Sequence, residues 1–388
     1  VLTILPYQIS FPSDLASYPL YEPQVGALQR LPFYFMLLLF PVVLLDFWLY
    51  SSELARSQPS WRRLGAGFSL AGLFFMLMIL AHVFTTVYDY IPIIGPFFRD
   101  RFWLVHLVAG LGLALPALLF GRLPASASPS QARLWAAPLA IGLISLLSLF
   151  AVWQVSAQAI AAPSQAGSLR VFTYNIQQGY SAADQRNLEG QIALIRSKDP
   201  DLLGLQESDS ARIANGNADL VRYVADRLNM YAYYGPTPIT GTFGIALLSK
   251  YPIENPRTFY MYSQGEQTAA IVAQISANGK TYQVYVTHLG NGGPIFQQEA
   301  ILKDLAGKSN LIVMGDFNFR TYEPQYALTT QSLQDAWLAR WPDAMEANGL
   351  LMPDRIDYIF TSPGMEVLEA GYLTGPQSDH PALFAELR

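Results

Sequence analysis

"NLIVMGDFN", residues 310 to 318, is a short apolar run that stops on a glycine, a carboxylate and an amide. Leu311 to Met314 reads as a buried strand, because an apolar run this short between turn signals lacks helical length. Gly315 to Asn318 is then the point where the strand opens into a loop, and it carries Asp316 and Asn318. The same arrangement recurs through the second half of the chain. "VFTYNIQQG" (171–179) puts Asn175 at a strand mouth, "DLLGLQE" (201–207) ends on Glu207, and "YQVYVTH" (282–288) ends on His288. "RIDYIF" (355–360) sets Asp357 within a strand, and "SDH" (378–380) sets Asp379 and His380 just before the last one. Polar groups at strand ends collect on one rim of a sheet.

Outward from these runs, strands are expected at 169–175, 201–206, 244–249, 269–276, 281–287, 310–315, 355–360 and 381–387. Helices are expected at 185–198, 219–229 and 295–306, the first with Leu188, Ile192 and Ile195 on one face. Interleaved strands and helices make this half α/β or α+β. It is acidic: residues 168–388 carry 16 Lys and Arg against 23 Asp and Glu, a balance of −7, whereas residues 1–167 carry 8 against 6. Such a balance argues against a broad nucleic-acid surface, which needs clustered Lys and Arg. The chain has no cysteine, so disulfides and thiolate metal sites are excluded.

The first half is of another kind. Apolar stretches at 32–50, 64–88, 102–120 and 134–157 each approach the roughly 20 residues that a bilayer-spanning helix needs. The expected organisation is a transmembrane helical domain of about four helices at 1–157, a linker at 158–168, and a catalytic domain at 169–388. Lys and Arg in the short loops favour a cytoplasmic 51–63 and 121–133 (Arg56, Arg62, Arg63, Arg122, Arg133) over the side with Arg30, Arg99, Arg101 and Arg170. That bias places the C-terminal half on the extracytoplasmic or lumenal side. "VSAQAIAAPSQA" after the fourth stretch also has the small residues of a signal-peptidase site, which leaves release of the soluble half open. A start at Val1 rather than Met suggests a trimmed or processed start and leaves open whether upstream spans are missing. Asp46, His82 and His106 are ionisable groups at membrane depth. In "YDYIPIIGPFFRDRF" (88–102), Arg99 and Arg101 are candidate headgroup ligands, beside the plainer reading of an ion-paired interfacial loop.

The polar inventory suggests a chemistry. Carboxylates and amides are hard oxygen ligands, suited to Mg²⁺ or Mn²⁺. Two histidines near them can move protons close to neutral pH. Phosphate ester hydrolysis needs both a cation for the growing charge and a base for the attacking water. Any one of these residues alone is more often a turn or cap residue. Six segments in one order, each with its polar group after an apolar run, are not explained by capping.

In their order, "TYNIQ", "DPDLLGLQE", "GIALLSKYPI", "THLG", "GDFN", "RIDYIF" and "SDH" resemble the endonuclease/exonuclease/phosphatase superfamily, over residues 168–388. The resemblance implies a DNase I-like four-layer sandwich of two β-sheets flanked by helices. It also implies roles: Asn175, Glu207 and Asp379 hold one or two Mg²⁺ or Mn²⁺ ions, and His288 and Asn318 contact the phosphoryl group. Asp316 aligns or deprotonates water, and His380 is the acid/base fixed by Asp357. One departure stands out, since Gln297 and Gln298 sit near the place where many members have an Arg. Phosphate-backbone contact loses support there, and the loop Gly290-Asn291-Gly292-Gly293 is expected to shape a different headgroup pocket. The tyrosines of "YAYYGPTP" and "RTFYMY" fit either core strands or a membrane interface.

Several spans joined to such a domain also resemble the membrane-bound family that remodels the lipid of GPI anchors to ceramide. That resemblance implies a membrane-embedded phosphodiesterase hydrolysing or remodelling a phospholipid, with an inositol- or GPI-type headgroup, and with the bilayer rather than nucleic acid as partner. The competing readings are a membrane-anchored nuclease and a non-catalytic lipid-binding protein.

Overall fold

Alternating apolar runs and polar turns become, in the computed structural model, a two-sheet sandwich, and the first half becomes a set of long helices. The structure describes residues 9–23, 26–82, 93–99, 101–120, 131–156, 167–208, 216, 218–236 and 244–388. In chain order these form β1 (Leu20–Tyr21), α1 (Leu31–Ser57), α2 (Trp61–His82), α3 (Ile94–Arg99), α4 (Trp103–Phe120) and α5 (Gln131–Ser156). There follow β2 (Leu169–Asn175), α6 (Leu188–Lys198), β3 (Leu202–Gln206), α7 (Leu220–Leu228), β4 (Tyr231–Tyr234), β5 (Ile245–Ser249) and β6 (Glu254–Tyr260). Next come β7 (Ala269–Ala277), β8 (Lys280–His288), α8 (Ile295–Leu305), β9 (Leu311–Asp316), α9 (Pro324–Thr330) and β10 (Gln334–Asp335). Last are α10 (Ala336–Arg340), β11 (Asp357–Thr361), β12 (Val367–Leu373) and β13 (Ala382–Leu387).

The chain divides into two compact units: Val1–Gln8, Gln24–His82 and Arg101–Ala159 in one, and Ile9–Pro23, Val83–Asp100 and Ile160–Arg388 in the other. In the helical unit α1 packs on α5 and α2 on α4. Each of the four apolar stretches contains a long helix among the described residues. Among the described residues, Tyr34–Ser57 and Trp61–His82 are long and apolar enough to cross a membrane, while Trp103–Pro116 and Leu139–Ala151 are shorter apolar helices. Their outer faces are lined by exposed large apolar side chains such as Phe40, Trp48, Phe75 and Leu147, a surface suited to lipid rather than water. The edge of His82 packs on His106 with ring centroids 4.8 Å apart, and Phe102 packs on both. Asp46 lies within α1. The linker residues 158–166 and the loop residues 83–92, 100 and 121–130 lie outside the described residues.

The other unit is the expected four-layer sandwich. One sheet runs β1-β6-β7-β8-β9-β11-β10 and the other β12-β13-β2-β3-β5-β4. Between them lies a core that includes Val171, Leu202, Leu247, Val286, Ile312, Met314 and Leu383. Burial of each such side chain stabilises by roughly 1.5–3 kcal/mol. On the outer faces, Ile192, Ile195, Val221 and Val224 of α6 and α7 cover Phe172, Leu203 and Leu205, and Ile301 and Leu305 of α8 cover Val272, Tyr285 and Val313. Strands buried on both faces therefore read as unbroken apolar runs, which is why β2, β3, β5 and β9 were legible.

β1, β4, β6, β10 and β12 were not among the expected strands. β6 opens on "ENPR" with a bulge between Glu254 and Arg257, and β12 mixes Glu369 and Gly371 into its run, so neither has a clean period. Phe259 and Tyr260 of the "RTFYMY" segment are buried in the sandwich, whereas β4 is an edge strand with half-exposed tyrosines.

Candidate active site

Two parallel pairings bring the polar strand ends together. β2 and β3 run parallel with Asn175 beside Gln206, so Glu207 follows at the same end. β8 and β9 run parallel with His288 beside Asp316, and antiparallel β11 sets Asp357 opposite Asp316. β13 runs antiparallel to β2, so Asp379 and His380 just before it reach the same rim.

Gly315 makes the β8–β9 approach feasible. Its φ is 150°, and a Cβ there would lie 2.0 Å from the Thr287 carbonyl oxygen. Only glycine fits, and the residue after it is thereby aimed at the rim. The Asp316 Oδ1 then accepts from the Asn318 backbone N–H at 3.0 Å, closing an Asx turn that holds Asn318 in the left-handed region at φ 53°. The Asn318 side chain is tied in turn to the Leu289 carbonyl at 2.9 Å.

Asp316 is the hub. Its Oδ2 accepts from Asn175 Nδ2 at 3.1 Å and lies 3.5 Å from His288 Nε2 and 3.7 Å from His380 Nδ1. Asn175 Nδ2 also donates to Glu207 Oε1 at 3.3 Å, while its Oδ1 accepts from the Gln177 N–H. His380 Nδ1 is 2.9 Å from Asp357 Oδ2, and the Asp357 carbonyl accepts from the Tyr372 hydroxyl at 2.6 Å. A carboxylate paired in this way can hold an imidazole in one orientation.

Burial alone would lower the pKa of His380. The hydrogen bond and charge of Asp357, with Asp316 and Asp379, instead raise it to about 10. Asp357 is itself raised to about 6, by burial first and by Asp316 next, against the pull of His380. His380 therefore carries the proton of this pair across neutral pH. His288 is likewise raised, since Asp316, Glu266 and Glu207 outweigh its burial.

These groups open into a cleft of about 510 Å³ lined by Glu207, Glu266, His288, Asn291, Phe296, Asp316, Asn318 and His380 among others, with no Lys or Arg lining it among the described residues. Gln297 explains part of its shape. Buried rather than aimed at a phosphate, it accepts from the Gly290 N–H at 2.9 Å and donates to the Tyr262 carbonyl at 3.0 Å, stitching two walls together. Gln298 turns away to Thr329. At Gly293, with φ 51°, a Cβ would meet the Phe317 carbonyl at 2.5 Å, so the glycine loop packs directly under the "GDFN" turn.

Asn175, Glu207, His288, Asp316, Asn318, Asp357 and His380 thus converge, and Asn291 sits exposed on the cleft. Asp379 is exposed and accepts from Ser378 Oγ at 3.2 Å. Arg99 ends α3 with its side chain outside the described residues, and Arg101 is an exposed turn residue of the helical unit. Ligand atoms of Asp316, Asp357 and His380 lie within 4.8 Å of one another, close enough for a metal ion, although the Asp357–His380 bond already occupies two of them. Glu266 and Gln264 on the cleft wall were missed. They sit in an irregular loop after β6 that no periodicity marks.

Residues 168–315 match the family model described as PGAP2IP, C-terminal nuclease-like domain. The chain is 31% identical over 241 residues to the protein named cwh43 of Schizosaccharomyces pombe, covering 57% of this chain and 24% of that protein. It therefore spans about a quarter of the length of the curated relative it matches. Similar solved structures, each covering 57% of this chain, include an endonuclease/exonuclease/phosphatase of Beutenbergia cavernae (20% identity, TM-score 0.45, 71% of that chain) and the human Nocturnin catalytic domain with bound sulfate (22%, 0.45, 94%). The C-terminal half thus resembles the endonuclease/exonuclease/phosphatase superfamily, whose members are hydrolases of phosphate esters, and its relatives include cwh43.

Proposed function

We propose that this protein is a membrane-embedded, divalent-metal-dependent phosphodiesterase that hydrolyses or remodels a phospholipid, of inositol or GPI type, with its catalytic unit on the extracytoplasmic or lumenal side. The observation that carries the reading is Asp316, within 3.7 Å of both His288 and His380, at a cleft that also gathers Glu207, Glu266 and Asn318. A nucleic-acid backbone wants clustered cations along its track, and an acidic cleft disfavours it. A single phosphodiester in a lipid headgroup does not need them. Apolar helices in the same chain would hold the site at high effective concentration of lipid.

His380, kept protonated and oriented by Asp357, acts as the acid/base that protonates the leaving oxygen. His288 and Asn318 hold the phosphoryl oxygens, and Asp316 aligns the attacking water. Asn291 contacts the headgroup. Arg99 and Arg101 are assigned to the lipid-facing approach on sequence grounds alone.

The residues fit a Mg²⁺ or Mn²⁺ ion. Glu207, Asn175 and Asp379 are hard oxygen donors, and buried Asp357 Oδ1 has no hydrogen-bond partner among the described residues, a spare oxygen at the rim. Bound there, an ion would neutralise charge developing on the phosphoryl oxygens.

The test is mass spectrometry of lipid products after the detergent-solubilised protein meets a mixed lipid panel with Mg²⁺, beside Glu207→Ala and a plasmid. Diacylglycerol or ceramide released by the parent and not by the variant supports the reading. Plasmid cleavage with intact lipids makes the protein a membrane-attached nuclease instead. Inertness toward both points to a lipid-binding protein.

A further inference from the structure

The sandwich borrows a piece of chain from before the first apolar helix. Leu20 and Tyr21 pair antiparallel with Tyr260 and Phe259, making β1 the edge of the larger sheet, and the Glu22 N–H extends the ladder to the Thr258 carbonyl at 2.9 Å. Side chains anchor the segment in addition to the ladder. Ile9 and Tyr18 are buried in the core between the sheets, and the ring of Phe11 meets Tyr260 edge-on at 5.2 Å. The Tyr21 hydroxyl donates to Asp304, whose carboxylate also accepts from Tyr285 at 2.7 Å and pairs with Lys308 at 2.8 Å. The Arg257 guanidinium lies over the Tyr21 ring at 4.6 Å. The segment even reaches the cleft: Tyr18 packs on Tyr262 at 5.8 Å, and Tyr262 on Phe296 of the cleft wall at 5.5 Å.

A hydrogen-bonded strand pair and a shared core cannot form across some 30 Å of hydrocarbon. We propose that residues 9–23 are a structural part of the catalytic unit and lie on its side of the membrane, so that the helices between residues 23 and 169 cross the bilayer an even number of times. One or three crossings are excluded, while two or four are allowed. The crossing count rests on the membrane reading of the helices given above; the strand's membership of the catalytic unit does not.

The chain has no cysteine, so single-cysteine variants report cleanly. Ala16→Cys marks the N-terminal segment, Lys280→Cys the β7–β8 hairpin, and Ser57→Cys the end of α1; all three positions are exposed. In sealed, oriented vesicles bearing the full chain, a membrane-impermeant maleimide is expected to label Ala16→Cys and Lys280→Cys from one side and Ser57→Cys from the other. Labelling of Ala16→Cys and Lys280→Cys from opposite sides overturns the proposal. If all three label from one side, the segment's membership stands and the membrane reading of α1 and α2 fails. Phe11→Ala gives a second readout in detergent: integration into the core predicts that the catalytic unit melts at least about 4 °C lower, and an unchanged melting temperature overturns it.

Discussion

Asp357→Asn separates catalysis from stability at one position. The carboxylate is 2% exposed, 2.9 Å from His380, and opposite Asp316 in the β9–β11 register. Its bond to a protonated imidazole is charge-assisted, contributing roughly 1.5–3 kcal/mol to holding the ring. At 1.36 kcal/mol per tenfold, loss of that orientation alone lowers kcat by roughly 10- to 150-fold, and a wrong tautomer adds to it. Stability is expected to change little, because relief of the burial cost and Asp316 repulsion that raise the Asp357 pKa to about 6 is offset by loss of the partner that raises His380 to about 10. The assay is turnover of the lipid identified in the panel, with thermal unfolding measured on the same preparations. The reasoning is refuted if the variant melts at or above the parent's temperature and turns over within threefold of it.

Glu207→Ala and His380→Ala are each expected to lower turnover by ~10²-fold or more, and excess EDTA to abolish it until Mg²⁺ or Mn²⁺ is restored; unimpaired turnover in EDTA would rule out the metal assignment. Gln297→Leu leaves the Gly290 N–H and the Tyr262 carbonyl without partners, about 2–4 kcal/mol of lost stability and a melting temperature lower by roughly 4–15 °C. A fall of under 2 °C would show that it does not stitch the walls. Asp304, 4% exposed, should report on β1 through pH. Burial pushes its carboxyl up, but hydrogen bonds from Lys308, Tyr21 and Tyr285 prevail and hold it below the ordinary carboxylate value. A depressed folded pKa adds stability above the unfolded value of about 3.9 that is lost as pH falls through the folded one. Melting temperatures of the parent and Asp304→Asn should therefore differ most at neutral pH and begin to converge only as pH falls below about 4 toward the folded value, and a constant gap contradicts the assignment.

What could be read in advance depended on how local each signal was. β2, β3 and β9 announce themselves because both faces are buried, and "GDFN" because a glycine that only a close strand approach requires precedes its carboxylate. The convergence of Asn175, Asp316 and His380 follows from strand ends alone. The cleft walls do not: Glu266 stands in a loop without period, and Gln297 acts through backbone groups at 262 and 290 that no spacing relates to it. β1 is less legible still, two residues whose partners lie at 259 and 260. Arg99 and Arg101 were chosen by nearness in a loop, which says nothing about which unit each joins.

That long-range pairing also sets an order of events in biosynthesis. Tyr21 leaves the ribosome well before its partner Phe259, and at roughly 5–20 residues per second the interval is on the order of 10–50 s. Throughout it, an apolar strand segment carrying Ile9, Phe11, Tyr18 and Leu20 waits without its sheet while the intervening helices are made. The catalytic unit finishes folding only when its first-made piece is captured by one of its later ones, so its maturation is closed by a late, non-local step. A nascent chain stalled before β6 should display that segment to chaperones and proteases, and one stalled beyond β7 should not.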